Sequence, residues 1–146
     1  MLEINTKAPE FELRDQNGDS HKLSDSSGQV RLIYFYPKDN TPGCSREACA
    51  IRDAYGEFKK AGIKVFGISR DSIDSHKKFE KKFELPFTLL SDPESSVIKP
   101  WGASRLRIGT KRISYLLDKD GVIIKAYPDV TPEDHADEIL KDVKNI

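Results

Sequence analysis

An uninterrupted apolar run, Leu32-Ile33-Tyr34-Phe35-Tyr36, leads directly into a proline-rich loop and then into a helical pattern. The run predicts a buried strand, and Pro37 and Pro42-Gly43 predict the loop that follows it. Cys44 then falls in the first turn of the next helix. A thiol there meets unpaired backbone N–H groups and the positive end of the helix dipole, both of which favour the thiolate. The sequence therefore predicts a strand, a loop and a helix that together present a reactive sulfur.

Strand-like and helix-like segments alternate along the rest of the chain. Two hairpins are predicted, one with Asn17-Gly18 at its turn and one closed by Asp118-Lys119-Asp120-Gly121. The other expected elements are strands over 63–68 and 87–90, a helix from Ser72 or Asp74 through Phe83, a short helix near 93–99, hairpin strands over 113–117 and 122–126, and a C-terminal helix opened by Thr131-Pro132-Glu133. This order indicates an α/β fold with a mixed central sheet covered by helices on both faces.

The size and charge of the chain exclude several classes of protein. Its 146 residues fit a single domain, 1–146, that is large enough to bury a core. Lys plus Arg and Asp plus Glu both number 24, so no net charge attracts nucleic acid or anionic lipid, and we expect neither as a partner. The N-terminus has no basic region followed by an apolar stretch, and no apolar run approaches the ~20 residues of a membrane span. We therefore expect a soluble cytoplasmic protein.

The chain has two cysteines, Cys44 and Cys49, which are too few for a secreted disulfide scaffold. A reactive or metal-binding role is correspondingly favoured. A structural zinc site needs four Cys or His ligands at short spacings. His21, His76 and His135 are scattered, and none pairs locally with a cysteine. We therefore expect no metal, although a site completed by carboxylates stays open.

Helix geometry limits how the two thiols can meet. One apolar stripe, with residues three or four apart, faces the sheet: Cys44, Ala48, Ile51, Tyr55 and Phe58. Cys49 lies about 140° around the helix from Cys44, on a more polar face, and the two Cα atoms are roughly 8.7 Å apart in an ideal helix. A disulfide tolerates Cα separations of up to about 7 Å. If these cysteines form a disulfide, the first turns of the helix must unwind.

Each candidate residue also has a purely structural interpretation. A buried cysteine is often just a small hydrophobic residue, although a position behind a proline-rich loop favours a reactive Cys44. Cys49 could equally be an inert, half-buried thiol. Thr41 could be no more than an N-cap whose hydroxyl accepts a first-turn N–H, and Pro37 could merely end the strand.

Several motifs, taken in order, resemble those of one family. The residues from Pro37 to Cys44 match Pro-x-x-x-Thr-x-x-Cys at a strand-to-helix junction, which is the active-site signature of the peroxiredoxins. A second cysteine five positions on resembles the atypical two-cysteine bacterioferritin-comigratory, or peroxiredoxin Q, subgroup. The resemblance continues through Ala8-Pro9-Glu10-Phe11, Leu89-Leu90-Ser91-Asp92 and the segment 111–118. It implies a thioredoxin-like fold with an added N-terminal β-hairpin.

The resemblance also implies an activity. Such a protein reduces hydrogen peroxide and small alkyl hydroperoxides without metal, haem or flavin. The Cys44 thiolate would attack the peroxide O–O bond and become a sulfenic acid, and Cys49, as the resolving cysteine, would condense with it to a disulfide. Thioredoxin or a similar dithiol would restore both thiols. A resolving cysteine in the same chain removes the need for a partner subunit, so we expect a monomer.

Three residues near Cys44 acquire possible roles through the resemblance. Thr41 would hydrogen-bond the peroxide and the cysteine sulfur, and Pro37 would shield the thiolate from solvent. Glu47 is either a first-turn acid that complements the helix dipole or the supporting carboxylate that orients active-site groups.

Arg112 precedes the strand over 113–117 and, taken alone, would be a surface arginine. It matches the arginine that stabilises the thiolate and the developing charge on oxygen in this family. Arg105 and Arg107 are nearby competitors for that role.

Two other functions stay open on the sequence alone. A thiol–disulfide oxidoreductase on the same fold would carry Cys-x-x-Cys at this helix start, but position 47 is Glu, and Lys111-Arg112 replaces the usual proline before the later strand. A non-catalytic redox-sensing module would oxidise once and signal, whereas a peroxidase consumes peroxide over many cycles.

Overall fold

The structure is a computed structural model that describes residues 1–105 and 109–145. Its elements, in chain order, are β1 (Glu12–Asp15), β2 (Ser20–Lys22), a 3₁₀ helix (Leu23–Ser26), β3 (Val30–Phe35), α1 (Pro42–Asp53), α2 (Tyr55–Lys60), β4 (Ile63–Ser69), α3 (Ile73–Phe83), β5 (Thr88–Ser91), β6 (Ile113–Leu117), β7 (Ile123–Tyr127) and α4 (His135–Val143). Within the described ranges, no helix has the length and apolar character needed to cross a membrane.

The strands form one mixed sheet in the order β2-β1-β5-β4-β3-β6-β7. Strand β4 pairs in parallel with β3 on one side and β5 on the other. The other pairs are antiparallel: β6 with β3, β7 with β6, and β1 of the N-terminal hairpin with β5 and β2. Strand β3 lies inside the sheet between β4 and β6, and both of its faces are covered by packed side chains. This position explains why its sequence is an unbroken apolar run rather than an alternating one. The predicted mixed sheet and added hairpin are confirmed.

Side chains of β3 point alternately into two hydrophobic clusters. Leu32 and Tyr34 pack with buried residues of all four α-helices on one face. Ile33 and Phe35 pack on the other face with Trp101. The cover on that second face comes from the N-terminal segment, the 3₁₀ helix and the turns of residues 92–103. Among the described residues, the α-helical cover expected on both faces is therefore present on one face only.

The prediction of a short helix near 93–99 is wrong, because this segment forms turns. Ser95 has a left-handed φ of 58°, which interrupts a helix. The buried Asp92 carboxylate accepts hydrogen bonds from the backbone N–H groups of Ser96, Val97 and Ile98. A side chain that takes up these donors competes with the helical hydrogen bonds that they would otherwise form.

The C-terminal helix begins later than the sequence indicates. Residues 132–134 form a turn, and α4 starts at His135 rather than near Thr131. Asp134 has a φ of −105°, which departs from helical geometry. The ring of His135 is buried, and its Nε2 lies 2.7 Å from the Ser114 hydroxyl on β6, so the regular helix starts where α4 docks on the sheet.

Candidate active site

Cys44 lies at the third position of α1 and is 2% exposed. The helix already begins at Pro42, so Pro42 and Gly43 are helical residues rather than part of the loop as predicted. Proline suits this first position because its missing N–H would be unpaired in any case. The predicted apolar stripe is confirmed: Cys44, Ala48, Ile51 and Phe58 are buried and Tyr55 is half-buried.

The guanidinium of Arg112 joins Cys44 to Glu47. Its Nη2 donates to the Cys44 sulfur at 3.4 Å, and its Nη1 donates to Glu47 Oε1 at 2.8 Å. The sheet explains this proximity, because Ile113 of β6 pairs with Phe35 of β3. Residues that follow β3 and residues that precede β6 therefore lie at the same end of the sheet. A cation held against a sulfur in this way stabilises negative charge on it.

Gly43 provides the space for this arginine. A Cβ built on Gly43 would lie 2.9 Å from Arg112 Nη2, closer than real Cβ contacts allow. The absence of a side chain is therefore a condition for the Arg112–Cys44 contact. The sequence predicts only a loop position for Gly43, because its neighbour Arg112 precedes β6 and is distant in the chain.

Glu47 is completely buried, with Oε1 paired to Arg112 and Oε2 without a hydrogen-bond partner among the described residues. Burial raises the pKa of Glu47 to about 7, although the charge of Arg112 and its hydrogen bond act in the opposite direction. Burial also works to lower the pKa of Arg112, but the neighbouring Cys44 and Glu47 outweigh it and raise that pKa. Glu47 is therefore a buried partner of Arg112 and not an exposed first-turn acid.

Thr41 occupies the N-cap position of α1, but its hydroxyl does not cap the helix. The hydroxyl donates to the Lys38 carbonyl at 2.8 Å, so the expectation that it accepts a first-turn N–H is wrong. Pro37 is half-buried in the loop of residues 37–41, called here the 37–41 loop, which connects β3 to α1. Both residues belong to the short stretch of backbone that leads to Cys44.

Cys49 is half-buried on α1, and both cysteines are free thiols. Because residues 42–53 form one helix, the two sulfurs are carried on different faces of it. Arg52, one turn after Cys49, donates to the Phe83 carbonyl at 2.7 Å and ties this part of α1 to the end of α3.

A buried polar cluster beneath the 37–41 loop is a feature that the sequence did not predict. The Asp39 carboxylate lies 2.7 Å from His76 Nδ1 and accepts hydrogen bonds from the hydroxyls of Tyr36, at 2.6 Å, and Ser75, at 2.8 Å. His76 had been counted only as one of three scattered histidines. No local pattern identifies the cluster, because α3 and the loop meet only in the folded chain.

The ligand atoms of Asp39, Asp71 and His76 lie within 4.8 Å of one another, which raises the question of a metal site. Protein groups already engage these atoms. His76 Nδ1 lies against Asp39 and its Nε2 lies 3.0 Å from the Leu90 carbonyl, and the Asp71 carboxylate accepts from the Ser69 hydroxyl. The donor set is therefore that of a hydrogen-bonded cluster.

Among the three arginines considered for the role beside Cys44, Arg112 makes the contact. Arg105 is exposed, and Arg107 lies outside the described residues. The structure thus brings Cys44, Glu47 and Arg112 into one group, with Thr41 and Pro37 on the adjoining loop and Cys49 further along α1.

The sequence matches the AhpC/TSA family over residues 4–126. The chain belongs to the AhpC/TSA family. Among its relatives is the chloroplastic peroxiredoxin Q of rice, Oryza sativa subsp. japonica, which is 49% identical over 142 residues, covering 95% of this chain. The chain spans 65% of the length of that rice protein.

Two solved structures of related proteins resemble this AhpC/TSA member along most of its length. Peroxidoxin BcpB of Mycobacterium tuberculosis has a TM-score of 0.93 and 30% identity, with 100% of this chain and 99% of that chain covered. The bacterioferritin comigratory protein of Xanthomonas campestris has a TM-score of 0.88 and 32% identity, with 92% and 90% covered. The thioredoxin-like peroxiredoxin fold and the resemblance to the peroxiredoxin Q subgroup are both confirmed.

Proposed function

We propose that this protein is a thiol-dependent peroxidase that reduces hydrogen peroxide and organic hydroperoxides. The observation that carries the proposal is the contact of Arg112 with both the Cys44 sulfur and the buried Glu47. A thiol held at a helix start beside a fixed guanidinium is favoured as the thiolate, which is the nucleophilic form. The structure of the Xanthomonas relative is described in terms of alkyl peroxide reduction activity, which supports this substrate class.

The first half of the reaction is an oxidation of Cys44. The thiolate attacks one peroxide oxygen, the O–O bond breaks, and the departing hydroxide or alkoxide takes up a proton to leave as water or an alcohol. Arg112, held in place by Glu47, stabilises the charge that develops on oxygen. Thr41 and Pro37, on the loop next to Cys44, orient the peroxide and restrict the access of water.

The second half regenerates the enzyme. The Cys49 thiol attacks the sulfur of the Cys44 sulfenic acid, a disulfide forms as the S–O bond breaks, and the departing hydroxide takes the thiol proton and leaves as water. The two sulfurs can meet only when the first turns of α1 unwind. A thioredoxin-like dithiol then reduces the disulfide by exchange, restoring both thiols. Because both cysteines lie in one chain, we propose that the protein works as a monomer, and that it acts in the cytoplasm without a bound cofactor.

Peroxide consumption under turnover conditions tests the proposal. Wild type, Cys44→Ser and Cys49→Ser are mixed with hydrogen peroxide and excess dithiothreitol, and the remaining peroxide is followed over time. We expect many turnovers per wild-type molecule and none for Cys44→Ser. Cys49→Ser is the matched control, since it also loses one α1 thiol, and should retain the first oxidation with altered recycling. One turnover or fewer for wild type would contradict a peroxidase and favour a redox sensor.

A further inference from the structure

The 37–41 loop is held from below by a carboxylate that none of the proposed reaction steps uses. Asp39 lies midway between Pro37 and Thr41, yet it is only 6% exposed. Its Oδ1 accepts from the Tyr36 hydroxyl at 2.6 Å, and its Oδ2 meets Ser75 Oγ at 2.8 Å and His76 Nδ1 at 2.7 Å. Three partners on one buried carboxylate fix the position of the loop that carries it.

His76 connects this carboxylate to the rest of the fold. The residue is in the first turns of α3 and is fully buried. Its Nδ1 faces Asp39, and its Nε2 lies 3.0 Å from the Leu90 carbonyl on β5. Since both ring nitrogens face acceptors, the ring is oriented from two sides and joins the loop, α3 and the sheet in one chain of contacts.

Further contacts fix the backbone of this loop. Asn40, between Asp39 and Thr41, has a φ of 59°, in the left-handed region that asparagine adopts more readily than most other residues with a side chain. The backbone N–H of Asp39 also donates to Asp71 Oδ2 at 2.9 Å, and Asp71 in turn accepts from Ser69. The hydrogen bond from Asp39 N–H to Asp71 therefore holds the backbone of the 37–41 loop in addition to the contacts of the Asp39 carboxylate.

We propose that His76 is a positioning residue of the peroxidase reaction. Through Asp39 it fixes the 37–41 loop, and thereby places Pro37 and Thr41 relative to the Cys44 sulfur. This inference rests on the proposed function. The site then has two parts with different tasks. Arg112 and the start of α1 stabilise the reactive sulfur, whereas the Asp39–His76 pair fixes the loop residues that orient the peroxide.

The test compares two reactions of the same sulfur. His76→Gln is made in a Cys49→Ser background, so that Cys44 is the only thiol. Sulfenic acid formation with hydrogen peroxide is followed by dimedone trapping and mass spectrometry, and alkylation by iodoacetamide is followed in parallel. We expect the rate constant with peroxide to fall at least about tenfold, because small misplacements of orienting groups slow a reaction strongly, while alkylation changes less than about twofold.

Two further variants make the result decisive. His21→Gln is the matched control, because His21 also pairs with a buried aspartate, Asp15, at 2.6 Å but lies on the N-terminal hairpin. It should leave both rates unchanged. Tyr36→Phe removes one hydrogen bond to Asp39 and should cause a smaller loss with peroxide only. If His76→Gln does not fold, Tyr36→Phe carries the test.

The possible results distinguish failure of the positioning role of His76 from failure of the proposed peroxidase function. Equal losses in peroxide and iodoacetamide reactivity, or an unchanged peroxide rate in both cluster variants, would overturn the positioning role. A similar loss in His21→Gln would also overturn it, since general destabilisation would then explain the effect. Failure of the parent Cys49→Ser protein to react with peroxide would instead count against the proposed function.

Discussion

Arg112 connects the sulfur of Cys44 to a carboxylate that water does not reach. Its guanidinium can hold both groups because it presents several donors in a fixed plane. Glu47 in turn is a costly residue to bury, and within the described part of the chain only the pairing of its Oε1 with Arg112 offsets that cost. At the scale of single residues, the site is therefore stabilised by Arg112 and destabilised by the ionised Glu47.

The burial of Glu47 predicts that the free energy of unfolding depends on pH through the titration of this carboxyl group. The pKa of Glu47 is raised from 4.5 to about 7, so the folded protein keeps a proton that the unfolded chain releases between these values. Stability contributed by protonated Glu47 is therefore lost as the pH rises. Relative to Glu47→Gln, the free energy of unfolding of wild type should fall by about 2–3 kcal/mol from about pH 5 to about pH 8.

Urea unfolding of the two reduced proteins at both pH values measures this difference. Comparison of wild type with Glu47→Gln cancels the contributions of other titrating groups. A difference that does not change with pH, or that changes in favour of wild type as the pH rises, would contradict the assignment of Glu47 as a buried carboxyl with a raised pKa.

Gly43 offers a second test at the residue scale. In Gly43→Ala the new Cβ would meet Arg112 Nη2 and displace it from the Cys44 sulfur. We expect the rate constant for Cys44 oxidation by peroxide to fall at least about tenfold, because a group that stabilises developing charge is moved. Stopped-flow measurement of the reduced protein checks this.

Gly56→Ala is the matched control for that variant. Gly56 is also helical, in α2, and nothing lies within 4 Å of a Cβ built on it. This substitution should leave the rate unchanged and increase the free energy of unfolding by about 0.5–1 kcal/mol, the usual helix preference of alanine over glycine. Equal rates for the two alanine variants would show that the Arg112 contact does not matter for the reaction.

Helix α1 is the element that has to change during the proposed cycle. It carries both cysteines and is intact when both are free thiols. Its start contacts Arg112 through Cys44 and Glu47, whereas Arg52 near its end is tied to the Phe83 carbonyl. The proposed disulfide requires the start of α1 to unwind and release these contacts, while the contact of Arg52 holds the end of the helix in place.

Hydrogen exchange provides the test at this scale. In the oxidised protein, the amides of residues 45–48 should lose protection by at least about tenfold relative to the reduced protein, because local unfolding exposes them. The amides of β3 serve as the internal reference and should keep their protection. Identical protection of residues 45–48 in the two states would exclude unwinding of α1.

The elements that the sequence predicted well are those with strong periodicity. Strand β3 and helix α1 follow from an apolar run and from spacings of three and four, which reflect burial on a sheet. The segment 93–99 was misread because the Asp92 side chain takes backbone donors that a helix would use. Such competition depends on where one carboxylate lies in the folded protein.

The candidate site was predictable to a smaller extent. Cys44 follows from its position at a helix start, but its contact with Arg112 exists only because β6 pairs beside β3. The cluster of Asp39 and His76 joins residues that are 37 positions apart in the chain. Contacts of this kind are set by the pairing of strands and helices, which local sequence patterns do not contain.

At the scale of the whole molecule, the placement of both cysteines on one helix has a consequence for assembly. The proposed disulfide forms within one chain and requires no second copy. We expect size-exclusion chromatography with light scattering to give the mass of one chain for both the reduced and the peroxide-treated protein. A stable dimer in either state, or a covalent dimer after oxidation, would contradict the monomer proposal.

Intact-mass spectrometry of the reduced protein before and after one equivalent of hydrogen peroxide tests the central claim most directly. Wild type should lose the mass of two hydrogens, and Cys49→Ser should instead gain oxygen at Cys44. Cys44→Ser should not change. An unchanged wild-type mass would contradict the peroxidase assignment and would leave the chain with the fold of the AhpC/TSA family but without an activated thiol.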